Sequence, residues 1–358
     1  MKKLRVAFIG AGRIADLHVL GYRNNPDAEL TAVCDLNPER AQQRAEEWGL
    51  EQWTTDPETI FTSPDIDIIE ILTPHDSHAS LTTAALEAGK HVSVQKPMAL
   101  NMAEARAMIE AAERTGRLLR VYENFRFYPP YRKARELLEA KEIGDPLSIR
   151  VKFMSGYSPQ GWEVPQEAWA WRLNESQCGG GPMVFDHGYH VFSIVMYFMG
   201  PVSKVFAWID HTKGARGFVA DLPALIAWRH SNQGQMGSWQ VDSSSQFHIR
   251  SKYYAGDEWV EITGTRGLLW INRCSGMMLE TPSVVMYRDG ATTAFHDIET
   301  NWGLSFDLCT REMITALNEN RQPEVNPKEG AEILRFSLAV HLSASEGREV
   351  EIEEVPDG

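Results

Sequence analysis

Over the first 125 residues, short unbroken apolar runs alternate with stretches whose apolar positions recur at helical spacing. LRVAFIG (4–10), LTAVCD (30–35), IDIIEILTP (66–74), HVSVQKP (91–97) and LLRVYEN (118–124) are rich in β-branched residues and show little polar alternation. That is the pattern of strands buried on both faces of a parallel sheet. The intervening helices are punctuated: Asn37 caps ahead of Pro38 and Gly49 closes, while Asn101 precedes Glu104 by three and Gly116 closes. Strand and helix repeated in this way predict an α/β domain over 1–125, a doubly wound parallel sheet of the Rossmann kind.

The pattern breaks at YPP (128–130). A strand-like run, PLSIRVKFM (146–154), leads through an aromatic loop to an apolar helix at 183–199, closed by Gly200-Pro201. VSKVFAWI (202–209), ALIAWRH (224–230), QMGSWQV (235–241), WVEITGTRGLLWI (259–271) and SVVMYRDG (283–290) then alternate at a period of two, which predicts an antiparallel sheet. Helices at 305–320 and 327–345, the second capped by Asn326, and a strand EVEIEEV (349–355) complete the chain. The expectation is an α+β domain over 126–358 with a largely antiparallel open sheet.

Composition narrows the function. A chain of 358 residues exceeds what one core usually supports, consistent with two domains. A net charge of -14 with no Lys/Arg block excludes nucleic acid and anionic membrane as natural partners, leaving small molecules. The four cysteines, Cys34, Cys178, Cys274 and Cys309, show no CxxC spacing and suit reduced thiols. VAFI near the start is too short for a secretory apolar region, and no run is long enough to cross a bilayer, so a cytoplasmic location is expected.

The first strand runs straight into GAGRIA (10–15), a GxGxxA turn opening a helix. Gly10 permits the tight turn, Gly12 lets a pyrophosphate approach the backbone, and the amides around Arg13 and Ile14 face it at a helix N-terminus. Asp35 ends the second strand, where a carboxylate accepts ribose hydroxyls and repels a 2′-phosphate; NAD is therefore expected over NADP, with Arg40 leaving NADP possible. The alternative is an ordinary turn with Asp35 as a solvated loop acid.

Taken together, GAGRIA, TPHDSH (73–78), HVSVQKP (91–97), ENFRFYP (123–129), CGGGPMVFDHGYH (178–190) and EITGTRG (261–267) resemble the Gfo/Idh/MocA oxidoreductase family over nearly the whole chain. The resemblance implies a Rossmann domain and an α+β domain whose open sheet forms homodimers or homotetramers. It also implies nicotinamide-dependent oxidation or reduction of sugars, inositols and related polyols. The family's catalytic lysine falls on Lys96, within Gln95-Lys96-Pro97, and its aspartate and histidine on Asp186 and His190. Gln95 replaces a glutamate, so it offers hydrogen bonds but no negative charge beside Lys96. Cofactor contacts carried over are Thr73, Pro74, His78 (alternatively a cap of the next helix), Gln95, Lys96, Asn124 as a brace of the Lys96 region, and Arg172.

FDHGYHVF (185–192) puts an acid and two histidines into an apolar helix, with Asp186 and His190 one turn apart on the same face. Gly188 between them costs about 1 kcal/mol relative to alanine, which suggests a close approach to the backbone. A metal site lacks a third convergent ligand, so none is expected; a structural Asp-His pair and a proton-handling site remain. With a nicotinamide site inferred separately, proton handling is the reading adopted: His190 takes a hydroxyl proton, Lys96 supports the developing alkoxide, and Asp186 orients the imidazole or binds a neighbouring hydroxyl. The loop 156–181 carries Trp162, Trp169 and Trp171 beside Arg172. Indole faces suit sugar C–H faces, though each tryptophan is equally a structural cover. Substrate contacts are expected from Lys96, Arg126, Tyr157, Trp162, Trp169, Arg172, Asp186, His187 and His190. Rival readings are an NAD-retaining enzyme that cleaves a glycosidic bond by transient oxidation, a sugar-sugar oxidoreductase with captive cofactor, and a non-catalytic regulator.

Overall fold

The computed structural model describes residues 3–213, 219–232 and 234–357. The first domain is built on a six-stranded parallel sheet of β1 (Leu4–Ile9), β2 (Ala28–Cys34), β3 (Gln52–Thr54), β4 (Ile68–Ile71), β5 (His91–Gln95) and β6 (Leu119–Tyr122). Their order is β3-β2-β1-β4-β5-β6. The order reverses between β1 and β4, and ligands bind doubly wound sheets in the crevice beyond the carboxyl ends at such a point. Gly10, Thr73 and Lys96 all follow those ends. The caps form as the residue types dictate: Asn37 accepts from the Arg40 amide and Asn101 from the Glu104 amide, while Gly49 and Gly116 take left-handed φ values of 71° and 65°. The edge strand β3 was not foreseen, because three half-exposed residues carry no period.

The second domain contains β7 (Pro146–Tyr157), β8 (Val202–Ile209), a ribbon of β9 (Thr212–Lys213) with β10 (Val219–Ala220), β11 (Ala224–His230), β12 (Met236–His248), β13 (Gly256–Gly264), β14 (Gly267–Ile271), β15 (Val284–Arg288), β16 (Ala291–Phe295) and β17 (Val350–Glu351). Apart from the ribbon they form one nine-stranded sheet, β16-β15-β14-β13-β7-β12-β11-β8-β17. Every pair is antiparallel except β7 with β12, which run parallel. Cross-strand register sorts the side chains onto two faces. Ala207, Ile226, Trp239, Val151 and Val260 form one buried row; one residue along, Trp208, Leu225, Gln240, Lys152 and Trp259 form a row on the open face.

Helices Trp302–Asn318 and Pro327–Glu346 return to the parallel sheet. Tyr122 donates to the Phe306 carbonyl (2.8 Å) and Arg120 to the Cys309 carbonyl (2.5 Å), and Met313 and Ile314 share a core with Val6 and Phe8. The apolar helix at 183–199 departs from a regular α-helix at its start: Pro182–His187 is a π-turn, followed by α-helix Gly188–Met199. Asp221 holds that turn by accepting from the amides of Met183 (2.9 Å) and Val184 (2.5 Å). Gly188 is required by packing, since a Cβ there would lie 2.9 Å from the Trp239 ring.

Candidate active site

At the first crevice, Gly10 has φ +99° and a Cβ on it would meet the Leu72 carbonyl at 2.6 Å, so only glycine fits. Nothing lies within 4 Å of a Cβ built on Gly12, and the amides of Gly12, Arg13 and Ile14 find no acceptor among the described residues. Three free N–H groups beside an open glycine are a cradle for an anionic diphosphate. The helix behind them is short, Ala15–His18 continuing as a 3-10 turn, so the amides rather than a long dipole supply the attraction. Asp35 accepts from the Ala11 amide through Oδ2 (2.8 Å), and from the Asn37 amide and Arg40 Nη2 through Oδ1 (both 2.9 Å). The carboxylate is thus fixed by its own turn and by Arg40, with a lone pair of Oδ2 still available. A surface pocket of about 500 Å³ lined by Leu36, Asn37, Pro38, Glu39 and Arg40 adjoins it. These features fit a dinucleotide.

Deeper in, Lys96 follows β5 and Asp186 lies in the π-turn of the second domain. Lys96 Nζ donates to Asp186 Oδ1 at 2.6 Å and to its carbonyl at 2.8 Å. Arg172 Nε donates to Asp186 Oδ2 at 2.5 Å, and His75 Nε2 lies 3.4 Å from Oδ1. Burial alone would raise the Asp186 carboxyl; the ammonium of Lys96 and the guanidinium of Arg172 outweigh it and hold it well below the usual carboxylate range. Lys96 therefore takes its counter-charge from Asp186. The Gln95 side chain turns away, accepting from the Lys96 amide at 2.8 Å and reaching His18.

Of the two roles expected for Asp186, orienting His190 or binding a neighbouring hydroxyl, the first has no hydrogen bond behind it among the described residues. The π-turn sends the two side chains to different partners: His190 Nδ1 meets Glu123, at 2.8 Å from Oε1 and 2.9 Å from Oε2. Phe125 stacks on the imidazole at 4.0 Å and 17°. Burial, with Lys96 and His187 adding like charge, pushes the His190 imidazole well below its ordinary value. Burial pushes the Glu123 carboxyl up to about 7, against the Phe125 amide and Lys96. His190 Nε2 has no partner among the described residues. Glu123 and His75 escaped the sequence reading, although both lie inside quoted motifs. No spacing rule joins a residue of β6's end to one 67 positions later.

Other expected contacts fall elsewhere. Thr73 and Pro74 form the loop after β4, tied by Ser77 Oγ to Thr73 Oγ1 (2.7 Å) and the Pro74 carbonyl (2.8 Å). His78 lies between this loop and the next, its ring nitrogens 2.8 Å from the Pro97 carbonyl and 3.0 Å from the Thr73 carbonyl; burial pushes it down to about 3, and the neutral ring donates to one of the two. Arg172 belongs with Asp186, stacked over Trp171 at 4.3 Å. Asn124 bonds Ser305 at 2.9 Å and does not brace the Lys96 region. Arg126 turns to Ser193 and Glu329 and lies over Tyr197, lining a separate cavity of about 470 Å³ with Arg132 and Arg135. Tyr157 is exposed beside His248. His187 adjoins the site, its ring 5.8 Å from that of His190 and its Nε2 3.6 Å from Glu258. Trp162 lies over Arg13 of the glycine turn at 4.1 Å, bridging the domains at the cofactor end, and Trp169 ends a short helix, Gln166–Trp169. No group of three or more potential metal ligands occurs among the described residues.

Comparison with known proteins decides the family. The model of an oxidoreductase family with an NAD-binding Rossmann fold, Gfo/Idh/MocA, matches residues 4–123, and the model of the Gfo/Idh/MocA C-terminal domain matches residues 131–270. The chain belongs to the Gfo/Idh/MocA oxidoreductase family. Among relatives of this Gfo/Idh/MocA protein, D-apiose dehydrogenase of Paraburkholderia graminis is 28% identical, with 99% of this chain and 91% of that one covered. Myo-inositol 2-dehydrogenase of Thermotoga maritima is 26% identical, covering 98% and 99%. A levoglucosan dehydrogenase solved with NADH and levoglucosan shares the fold with a TM-score of 0.84 at 23% identity, covering 98% of this chain and 100% of its own. Residues 4–123, which carry the glycine turn and Asp35, are accordingly the NAD-binding domain of an oxidoreductase.

Proposed function

We propose that this protein oxidises a secondary hydroxyl of a sugar, glycoside or cyclic polyol with NAD, using Lys96 and His190 as the catalytic pair. The observation that carries the reading is the cluster in which the Lys96 ammonium is held by Asp186, four residues before a His190 whose Nε2 has no partner among the described residues. Bound NAD supplies the hydride acceptor. His190 Nε2 takes the hydroxyl proton; Lys96, fixed by two bonds to Asp186, presents its remaining hydrogen to the oxygen as negative charge develops there. Asp186 is a positioning residue for Lys96 and Arg172 in this scheme. His187, beside His190, and the free Nη groups of Arg172 contact the other substrate hydroxyls. The relatives' names, sugar and inositol dehydrogenases, support the substrate class.

The test is a panel of pyranoses, glycosides and inositols followed at 340 nm with NAD and with NADP. At least one is expected to yield stoichiometric keto product and NADH, with Lys96→Ala and His190→Ala each losing on the order of a hundredfold or more. Near-wild-type turnover by either variant would remove the assignment. A second reading, retention of NAD through a catalytic cycle, is favoured by the Trp162–Arg13 contact over the cofactor turn. It gives released aglycone, or sugar-sugar exchange, without free NADH, so product analysis separates the two. We also assign homo-oligomer formation to the open face of the nine-stranded sheet.

A further inference from the structure

The base proposed above stands in an unusual setting: a fully buried carboxylate lies against it, although nothing in a hydride transfer asks for a second acid there. Glu123 has no accessible surface and directs both oxygens at one nitrogen, Nδ1 of His190. The Phe125 amide pins Oε1 at 2.9 Å, and the Phe125 ring fixes the imidazole plane. An ionised carboxylate without accessible surface is costly unless hydrogen-bonded and charge-compensated. Lys96 and Arg126 compensate its charge from a distance; their hydrogen bonds go to Asp186, Ser193 and Glu329 instead.

We propose that Glu123 is a positioning residue that makes His190 a competent base, holding its proton on Nδ1 so that Nε2 faces the substrate as acceptor. The proposal deepens the reading of His190 as the base and rests on it. During oxidation the substrate O–H bond breaks, its proton forms the Nε2–H bond, and the oxygen's electron pair becomes the carbonyl bond as hydride leaves carbon for NAD. The imidazolium so formed carries Nδ1–H against the Glu123 carboxylate, a neutral pair. Burial and the Lys96 charge work against protonation of His190, and the Glu123 anion at Nδ1 is placed to oppose them. With it, the two groups take up their shared proton as a unit, and the Glu123 carboxyl already lies near 7. The groups facing the pair are Lys96, Asp186, His187 and Glu258 around His190, and Lys96, Arg126, His187, Tyr189 and Cys309 around Glu123.

The test uses the full-length protein with ring-labelled histidine, read by nitrogen NMR, with the His190 signal assigned by its loss in His190→Asn. In the wild type the neutral ring is expected as the Nδ1–H tautomer. In Glu123→Gln, which keeps an acceptor for Nδ1 but loses the charge, the His190 titration midpoint is expected to fall by about one pH unit or more. The pH limb of kcat/KM, measured with whichever panel sugar reduces NAD fastest, moves down with it, and kcat falls on the order of a hundredfold at little change in KM. Glu123→Asp restores part of kcat. A wild-type Nε2–H tautomer, or an unchanged midpoint in folded Glu123→Gln, overturns the proposal. The tautomer is read on the wild type alone, so variants that fail to fold leave it testable. It needs no turnover either, so a panel without any oxidised sugar fails the functional reading and leaves the tautomer to decide this one.

Discussion

Gln95 shows how one side-chain amide sets a protonation state behind the active site. Its Oε1 accepts from the Lys96 amide, so its Nε2 is the donor to His18 Nε2 at 2.8 Å. His18 must then carry its proton on Nδ1, which it donates to Glu70 at 2.5 Å; Glu70 in turn accepts from Tyr22 at 2.6 Å. A glutamate at 95 would face the His18 lone pair with another acceptor, and the buried group would have to take up one more proton. Gln95→Glu is expected to fold with an extra bound proton at neutral pH. Because the native state would hold more protons than the unfolded chain, stability should fall as pH rises, by about 1.4 kcal/mol per pH unit while that proton is retained. Thermal midpoints of variant and wild type between pH 6 and 9 check this; parallel curves would refute it. Asp186 has the opposite linkage. Its native carboxyl is held low, so its contribution is present above the ordinary carboxylate range and lost on acidification. Asp186→Ala leaves Lys96 and Arg172 facing each other unpaired, and should destabilise the protein by roughly 3–5 kcal/mol in a denaturant titration at neutral pH. Lys96, Asp186 and His190 were legible because each stands in a motif with a chemical reason for its residue type. Their partners were not: Glu123 and His75 meet them only through tertiary approach across the domain boundary.

At the scale of elements, strands and caps read well wherever local chemistry was sufficient. Asn37, Asn101 and Asn326 all cap as their types require, and VSKVFAWI is strand β8 in full. What failed were features decided from a distance. β16, ATTAF, is too polar and small to announce itself, and β12 runs parallel to β7 because the intervening helix carries the chain back across the sheet. The π-turn at Pro182–His187 depends on Asp221, far along the chain, and on the φ of +122° at Gly181, where a Cβ would meet the Asp221 carboxylate at 2.6 Å. Gly188 makes the helix-to-sheet contact testable. Alanine there would gain about 1 kcal/mol of helix propensity, but it drives a methyl to 2.9 Å from Trp239 and 3.2 Å from Phe192, an overpacking that costs roughly 1–3 kcal/mol. Gly188→Ala should lower the thermal midpoint and, by displacing the turn between Asp186 and His190, reduce kcat. A variant more stable than wild type would show that the sheet yields.

At the scale of the molecule, the two faces of the nine-stranded sheet have different destinies. One row packs Trp239, Val151 and Val260 beneath the site helix; the other leaves Trp208, 60% exposed, beside Leu225, with Gln240, Lys152 and Trp259 across the strands. The next row on that open side brings Phe206, Ala227, Ser238, Arg150, Glu261 and Trp270 into register, with Arg150 paired to Glu261 at 3.0 Å. An apolar face of this extent, interrupted by charges of both signs, suits a self-complementary two-fold contact in which each copy covers the other. It also explains how a sheet can be half open without failing as a platform for His190 and Asp186, whose helix lies on the opposite side. The expected outcome is an oligomer of the wild type at micromolar concentration by light scattering. Trp208→Glu, an exposed position that the isolated fold tolerates, should shift the mass toward monomer. Far-UV circular dichroism should be unchanged, since the charge becomes costly only when a second sheet buries it. A wild type that remains monomeric at tens of micromolar would sink the assignment of that face, while leaving the Lys96–Asp186 and His190–Glu123 pairs, which lie wholly within one chain, untouched.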